Sequence, residues 1–401
     1  MPGEAAAASV DHAAGQAAAG PVPGAEGQRV FAHGVDAYAR ILARIAGAKE
    51  RIELRAFVWR DDDTGRAVAR ALLEAADRGV RIDIHKDRVA ASYEYHGGTR
   101  QSLFHKRIGI DQRLQTWFLD RAYATGGSLV QQPSPEAAAL LTHPNIRIEH
   151  AQKRFDHAKV WVFDEEAVIL GGMGIGDEHC HEWVDFMVEL EGRAVVSRLR
   201  ARLEEREAFS PERPFDFLCH SRAVHGTGTC PMLGQRLALI GSARESLDIA
   251  MAYLGDARFT EALLAAITRG VRVSLITSSR ADVMGNINRA TCNVLRARAA
   301  RPELLQIYLH PRVVHAKAIV IDGRVCDVGS ANFTPLSHGV YDEVNVFVND
   351  PAFARKVQEA LRARAEEAVT PSGRIATAKT VLLVERAVVA YMARRARKAR
   401  R

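Results

Sequence analysis

The chain has 401 residues, 47% of them hydrophobic, enough to bury two sizeable cores. Its net charge is +7, yet Arg394, Arg395, Arg397, Lys398, Arg400 and Arg401 supply six positives, leaving a body near +1 (7 − 6). That body counts against a protein that tracks a nucleic-acid backbone, and no uncharged apolar run reaches the roughly 18 residues of a membrane span.

Residues 1–28 are rich in Ala, Gly and Pro, have no cationic start and carry Glu4, Asp11 and Glu26. They read as a disordered tail rather than a signal peptide. Ala37 to Arg51 has apolar residues at helical spacing and precedes a strand around Ile52 to Trp59. Asp61 to Asp63 then close that strand or cap the next helix. Thr64 to Arg78 is amphipathic, Gly79 ends it, and Val80 to Ile84 alternates as a strand. The second half repeats this order over Leu233 to Arg244, Leu247 to Tyr253, Phe259 to Arg269, Gly270, and Val271 to Ile276. Strand–helix–strand order in each half predicts an α/β fold of two similar halves, 29–210 and 211–370, with a basic C-terminal segment at 371–401.

Gly79 and Gly270 are 191 residues apart, whereas the motifs described next are 158 apart, so the first half carries 33 extra residues (191 − 158). The excess falls within Arg88 to Pro144, with Tyr93, Tyr95, Trp117 and Phe118. It reads either as a lid or substrate wall, or as a structural excursion with its own helix. Near the C-terminus, Val381 to Met392 is apolar but interrupted by Glu385 and Arg386, the pattern of an interfacial helix rather than a span. With the basic cluster behind it, it suits an anionic membrane surface, at about 1 kcal/mol per basic residue near that surface. The alternative is a helix packed on the body with a solubilising tail. Cys180, Cys219, Cys230, Cys292 and Cys326 are scattered and odd in number, which suggests a reducing compartment.

One pattern occurs twice. His157-Ala158-Lys159 is followed by Asp164, Gly171, Gly172 and Asp185; His315-Ala316-Lys317 is followed by Asp322, Gly329, Ser330, Asn332 and Glu343. Corresponding positions are offset by 158 residues, and a carboxylate stands 28 residues after each His. Each copy has two short apolar runs around a polar turn, Asp164-Glu165-Glu166 or Asp322-Gly323-Arg324, and reads as a β-hairpin. A His and a Lys two residues apart on a strand emerge on one face. The arrangement suits displacement at a phosphodiester. One His attacks phosphorus and the other protonates the leaving alcohol. Lys159, Lys317, the Asn332 amide and the Gly172 and Ser330 steps meet the phosphoryl oxygens. Asp185 and Glu343 each stand behind a His to fix its tautomer. Nothing in this scheme calls for a metal or cofactor. Asp164 and Asp322 are counted with the catalytic motif, although their place at the hairpin turn favours a structural role.

On these residues the chain resembles the phospholipase D superfamily, over about residues 30 to 365, and within it bacterial cardiolipin synthases without N-terminal membrane helices. Supporting segments are Phe57 to Gly65, Arg78-Gly79-Val80, Asp87, Asp177-Glu178, Trp183, Pro335-Leu336-Ser337 and Val344-Asn345. The resemblance implies a bilobed α/β fold, a phosphohistidine intermediate, no metal cofactor, His157 as nucleophile and His315 as acid/base. It implies a phospholipid substrate and a cytoplasmic enzyme peripheral on the inner face of the membrane. One position departs from the family: Gly174 stands where an Asn is usual, so the first half lacks an amide donor unless a neighbouring side chain or backbone N–H substitutes.

Two other readings stay open, a phosphodiesterase or nuclease on nucleic acid and a non-catalytic lipid-binding relative. Transfer and hydrolysis are not separable from sequence, and the oligomeric state leaves no trace in it. His179-Cys180-His181 beside Glu178 has metal-ligand residue types, but adjacent residues chelate one ion poorly, and no zinc site is expected. Trp183 either lines the site or packs, with packing preferred.

Overall fold

The computed structural model describes residues 27–95, 101–105, 109, 110, 113, 116, 117, 134–221 and 230–398. Residues 1–26 of the expected disordered tail, about half of the Arg88 to Pro144 insertion and the side chains beyond Arg394 lie outside the described residues. Gln28, expected in that tail, pairs with Leu190 at the start of a strand.

Each half builds one seven-stranded sheet. The first is ordered β1-β7-β6-β5-β2-β3-β4 and the second β11-β10-β9-β12-β13-β14-β8. In the first, β2 (Arg51–Ala56), β3 (Arg81–Lys86) and β4 (Ile146–Glu149) run parallel. They join an antiparallel set of β5 (Val160–Phe163), β6 (Ala167–Gly171), β7 (Met187–Glu191) and β1 (Gln28–Phe31). The second sheet repeats this with β9 (Ser246–Met251), β10 (Arg272–Ser278) and β11 (Leu305–His310) parallel. Its antiparallel set is β12 (Lys317–Ile321), β13 (Val325–Gly329), β14 (Glu343–Val348) and β8 (Phe215–His220).

Why the strands read as unbroken apolar runs follows from the layering. Alternate residues of β5 and β6 feed different cores: Trp161, Phe163 and Ile169 pack outward, while Val160, Val162, Val168 and Leu170 pack inward. The outer side is closed by α1 (Gly34–Gly47) and α2 (Asp63–Asp77), whose apolar stripes include Tyr38, Ile41, Ile45, Val68 and Leu72. The inner side meets Ala318, Val320, Val328, Val344 and Val346 of the second sheet in one shared core. A sheet covered on both faces needs apolar residues at every position rather than at every second one. Helices α6 (Pro231–Ser242) and α7 (Ala257–Thr268) cover the outer face of the second sheet.

The residues after β2 are those sequence suggested as caps. Asp62 is the N-cap of α2, accepting from the Gly65 N–H at 2.8 Å, and Asp177 accepts from the Thr64 N–H at 2.9 Å. Of the insertion, the start forms α3 (Ala91–Glu94) and the end α4 (Pro135–Thr142). Glu94 is fully buried, 2.9 Å from the Lys86 ammonium, and accepts from the Trp59 N–H at 2.7 Å. The described parts of the insertion are therefore tied into the body, and Tyr93 on α3 also walls the cavity described below.

Asp164 and Asp322, counted with the catalytic motif, take the structural place that their hairpin position favours. Both lie at the far ends of their hairpins in the left-handed region, with φ of 49° and 53°. Asp164 accepts from the backbone N–H groups of Lys49, Glu50 and Arg51 at 2.7–2.9 Å. Asp322 does the same for Arg244, Glu245 and Ser246 at 2.8–3.2 Å. Each carboxylate thus caps the loop entering the parallel strand beside its hairpin and is a structural rather than a catalytic part of the motif. Asp164→Ala or Asp322→Ala is expected to cost about 1–3 kcal/mol, seen as a lower urea midpoint at an unchanged slope.

Candidate active site

The two halves are stitched together beside each motif histidine. The His157 N–H donates to the Asp342 carbonyl at 2.9 Å, and the His315 N–H donates to the Val184 carbonyl at 2.8 Å. These bonds flank the bridges Asp156–Asp342 and Val184–Val314. Since Asp342 precedes Glu343 and Val184 precedes Asp185, each half's carboxylate is delivered to the other half's histidine. His157 Nδ1 lies 3.1 Å from Glu343 Oε2, and His315 Nδ1 lies 2.7 Å from Asp185 Oδ2. The equal spacing of 28 residues reflects the duplication, not a pairing within a copy.

Aromatic rings cross in the same way. Tyr341 stacks on His157 at 5.2 Å and Trp183 leans on His315 at 5.2 Å. These two residues are related by the same offset of 158, so Trp183 lines the site rather than only packing. Both rings border a cavity of about 380 Å³. His157, Lys159, His315 and Asn332 line it too, with Phe57, Tyr93, Tyr253 and the segment Arg280 to Met284. Lys159 and Lys317 turn back onto their own histidines, donating to the His157 and His315 carbonyls.

The two carboxylates differ in a way that separates the two histidines. Ser330 donates to Glu343 Oε2 at 2.5 Å, whereas its counterpart is Gly172, where a Cβ would fall 2.1 Å from Asp185 Oδ1. Gly172 therefore makes room for the shorter acid but gives it no hydroxyl. Burial raises both acids, but His157, Lys159 and Ser330 outweigh it at Glu343, which is held below the usual carboxylate range. At Asp185 burial prevails over Lys317, the Phe186 N–H and Lys159, and the carboxyl is pushed up to about 7. Burial and then Lys159 lower His157 to about 4 against the pull of Glu343. His315 is also driven well below its ordinary value, by burial and then Lys317. One pair is thus a neutral imidazole on an ionised carboxylate, and the other retains a proton near neutrality. Burial and then the Lys317 charge lower Lys159 to about 7, and burial lowers Lys317 to about 8 against the pull of Asp185 and Glu343. A bound anion would restore both charges.

His179, which the sequence offers only as a weak chelator beside Cys180 and His181, has its ring 5.0 Å from His315 and 4.6 Å from Trp183 and lines the cavity. Glu178 instead pairs with the Arg60 guanidinium, Cys180 is buried and His181 is exposed. Among the described residues, His179, Asp185 and His315 place ligand atoms within 4.8 Å of one another. A divalent ion held there would occupy the imidazole and carboxylate that carry the proton.

The pH profile follows from these groups. With His157 as the expected nucleophile and the Asp185–His315 pair as the expected acid, kcat/KM should rise through about pH 4 as His157 loses its proton and fall above about pH 7 as the pair loses its own. Asp185→Asn or Glu343→Gln should lower kcat by about 10²–10⁴-fold, and steady-state rates across pH 3.5–9 check both points.

The family model described as "Cardiolipin synthase, PLD-like domain" matches residues 41–206 and 237–364. Cardiolipin synthase B of Escherichia coli is 26% identical over 361 residues, covering 84% of this chain and 80% of that protein. A cardiolipin synthase of Listeria monocytogenes is 23% identical over 353 residues, covering 82% of this chain and 67% of that protein. The crystal structure of a phosphatidylserine synthase from Haemophilus influenzae superposes over 94% of this chain and 95% of its own, with a TM-score of 0.66 and 12% identity. With matched His–Lys motifs and this duplicated α/β architecture, the chain belongs to the phospholipase D-like cardiolipin synthase family.

Proposed function

We propose that the protein is a phosphatidyltransferase acting on glycerophospholipids, with phosphatidylglycerol as both donor and acceptor. The observation that carries the reading is that His157 and His315, each backed by the other half's carboxylate, face one cavity. His157 Nε2 attacks phosphorus, the bond from phosphorus to the headgroup oxygen breaks, and the departing oxygen takes the proton held by the His315–Asp185 pair. The hydroxyl of a second phosphatidylglycerol then returns a proton to His315 as its oxygen attacks phosphorus and frees His157. Lys159, Lys317 and Asn332 face the non-bridging oxygens, where charge builds. Water as the acceptor would give phosphatidic acid by the same steps.

Incubating the protein with phosphatidylglycerol liposomes in EDTA and reading lipids by mass spectrometry tests this. Cardiolipin and glycerol are expected, undiminished by EDTA, and each of His157→Ala and His315→Ala should lose at least about 10²-fold in rate. Phosphatidic acid alone would make the enzyme a hydrolase, and no lipid product would turn attention to nucleic-acid phosphodiesters.

The same proposal places the protein peripherally on the inner face of a membrane. No helix of the described residues is long and apolar enough to cross one. Helix α10 (Lys379–Lys398) is docked: Glu385, 3% exposed, accepts from the Asn286 and Ile287 N–H groups at the start of α8 (Gly285–Arg298). Val389, Met392 and Ala393 pack on Leu336, Val340 and Tyr341. Its other side exposes Leu383, Val384 and Tyr391. Of the two readings the sequence allows, an interfacial helix or one packed on the body, Glu385 supports packing and holds the helix next to the cavity wall. Exposed apolar residues ahead of a basic tail support a surface anchor. Replacing the six basic residues from Arg394 to Arg401 with Gln should weaken binding to phosphatidylglycerol vesicles by at least about 10²-fold at low salt, measured by sedimentation.

A further inference from the structure

The duplication makes each half a control for the other, and it singles out position 174. Gly174 corresponds to Asn332 by the offset of 158, and the backbone around them is the same. The Ile175 N–H donates to the Val58 carbonyl at 3.0 Å, just as the Phe333 N–H donates to the Tyr253 carbonyl at 3.0 Å. In the second half, Asn332 Oδ1 accepts from the Tyr253 N–H at 3.2 Å, which leaves its amide NH₂ for the cavity it lines. Ser337 Oγ accepts from the Asn332 N–H at 3.1 Å and keeps that residue in place.

In the first half the residue in the place of Ser337 is His179. A Cβ on Gly174 would fall 2.7 Å from His179 Nε2 and 3.1 Å from its Cδ2. The imidazole therefore stands in the space an asparagine side chain would need, and the two side chains exclude each other. His179 is 2% exposed, its Nδ1 lies 3.9 Å from Asp185 Oδ2, and Trp183 and His315 meet its ring edge to face, at 69° and 75°. A buried imidazole with one nitrogen on the carboxylate side and the other on the Gly174 side is aimed, not merely packed.

We propose that His179 is a catalytic residue of the first half-site, its Nε2–H giving the phosphoryl group the hydrogen bond that an asparagine at 174 would give. This rests on the phosphatidyl-transfer reading for its natural substrate, but not for its test. A ring N–H is a directional donor like an amide N–H, and in its cationic form it adds the positive charge an amide lacks. Gly174 and His179 then act as one exchangeable unit, opposite Asn332 and Ser337.

The test rebuilds the second half's arrangement in the first. Four full-length proteins are compared: wild type, His179→Ala, Gly174→Asn, and Gly174→Asn with His179→Ser. Vanadate affinity, by calorimetry, reports the phosphoryl site without any lipid, and kcat and KM on phosphatidylglycerol liposomes report turnover. Removing one preorganised donor of this kind lowers kcat by about 10²–10³-fold. His179→Ala should show that loss with a smaller change in KM, and should weaken vanadate by about 10-fold or more. Gly174→Asn alone should also be impaired, because its side chain meets the His179 ring. The double variant should recover vanadate affinity and kcat to within about 10-fold of wild type. Unchanged vanadate affinity and kcat in His179→Ala would overturn the proposal. So would a folded double variant, by its thermal transition, that is no better than His179→Ala. Because vanadate binding does not depend on the lipid, the expected vanadate pattern without any lipid product would sink the phosphatidyl reading and leave the role of His179 standing.

Discussion

The rest of the site depends on the crossing of carboxylates between halves. Two imidazoles, two ammonium groups and two carboxylates are buried together, and a buried charge is tolerated only when it is paired and hydrogen-bonded. Neither half can meet that condition alone, because the partner of each histidine is carried by the other sheet. The shared apolar core between the sheets and the backbone bonds at His157 and His315 hold this geometry. One seven-stranded sheet would present a histidine and a lysine with no anion behind them.

A symmetric site would have two equivalent histidines, and small differences break that equivalence. Ser330 secures Glu343 as an anion, while Gly172 leaves Asp185 with no such hydroxyl. Asn332 stands in one half and the Gly174–His179 pair in the other. Each change is confined to residues around one cavity, so the fold keeps its symmetry while the surroundings of the two histidines differ.

Much of this was legible in sequence because it is local. The hairpins, the parallel crossovers and the two His–Lys pairs follow from periodicity, turn residues and a constant offset. What sequence left open acts over long distances. A spacing of 28 residues cannot say which histidine a carboxylate meets, since both copies share it and the choice is made by docking of the halves. Sequence leaves the helix around Glu385 either interfacial or packed, because its partners, Asn286 and Ile287, lie about a hundred residues earlier. His179 had a signal, the glycine at 174, but only the packing of the ring against that glycine connects the two.

Unequal roles for two matched histidines are the central claim, and the covalent intermediate tests them most directly. The enzyme would be mixed for milliseconds with a short-chain phosphatidylglycerol, quenched in base, where phosphohistidine survives, and digested for mass spectrometry. The account predicts a phosphatidyl adduct on the peptide containing His157, absent from that of His315 and formed at least about 10²-fold more slowly in His315→Ala. An adduct on His315, or turnover with none on either histidine, would contradict it.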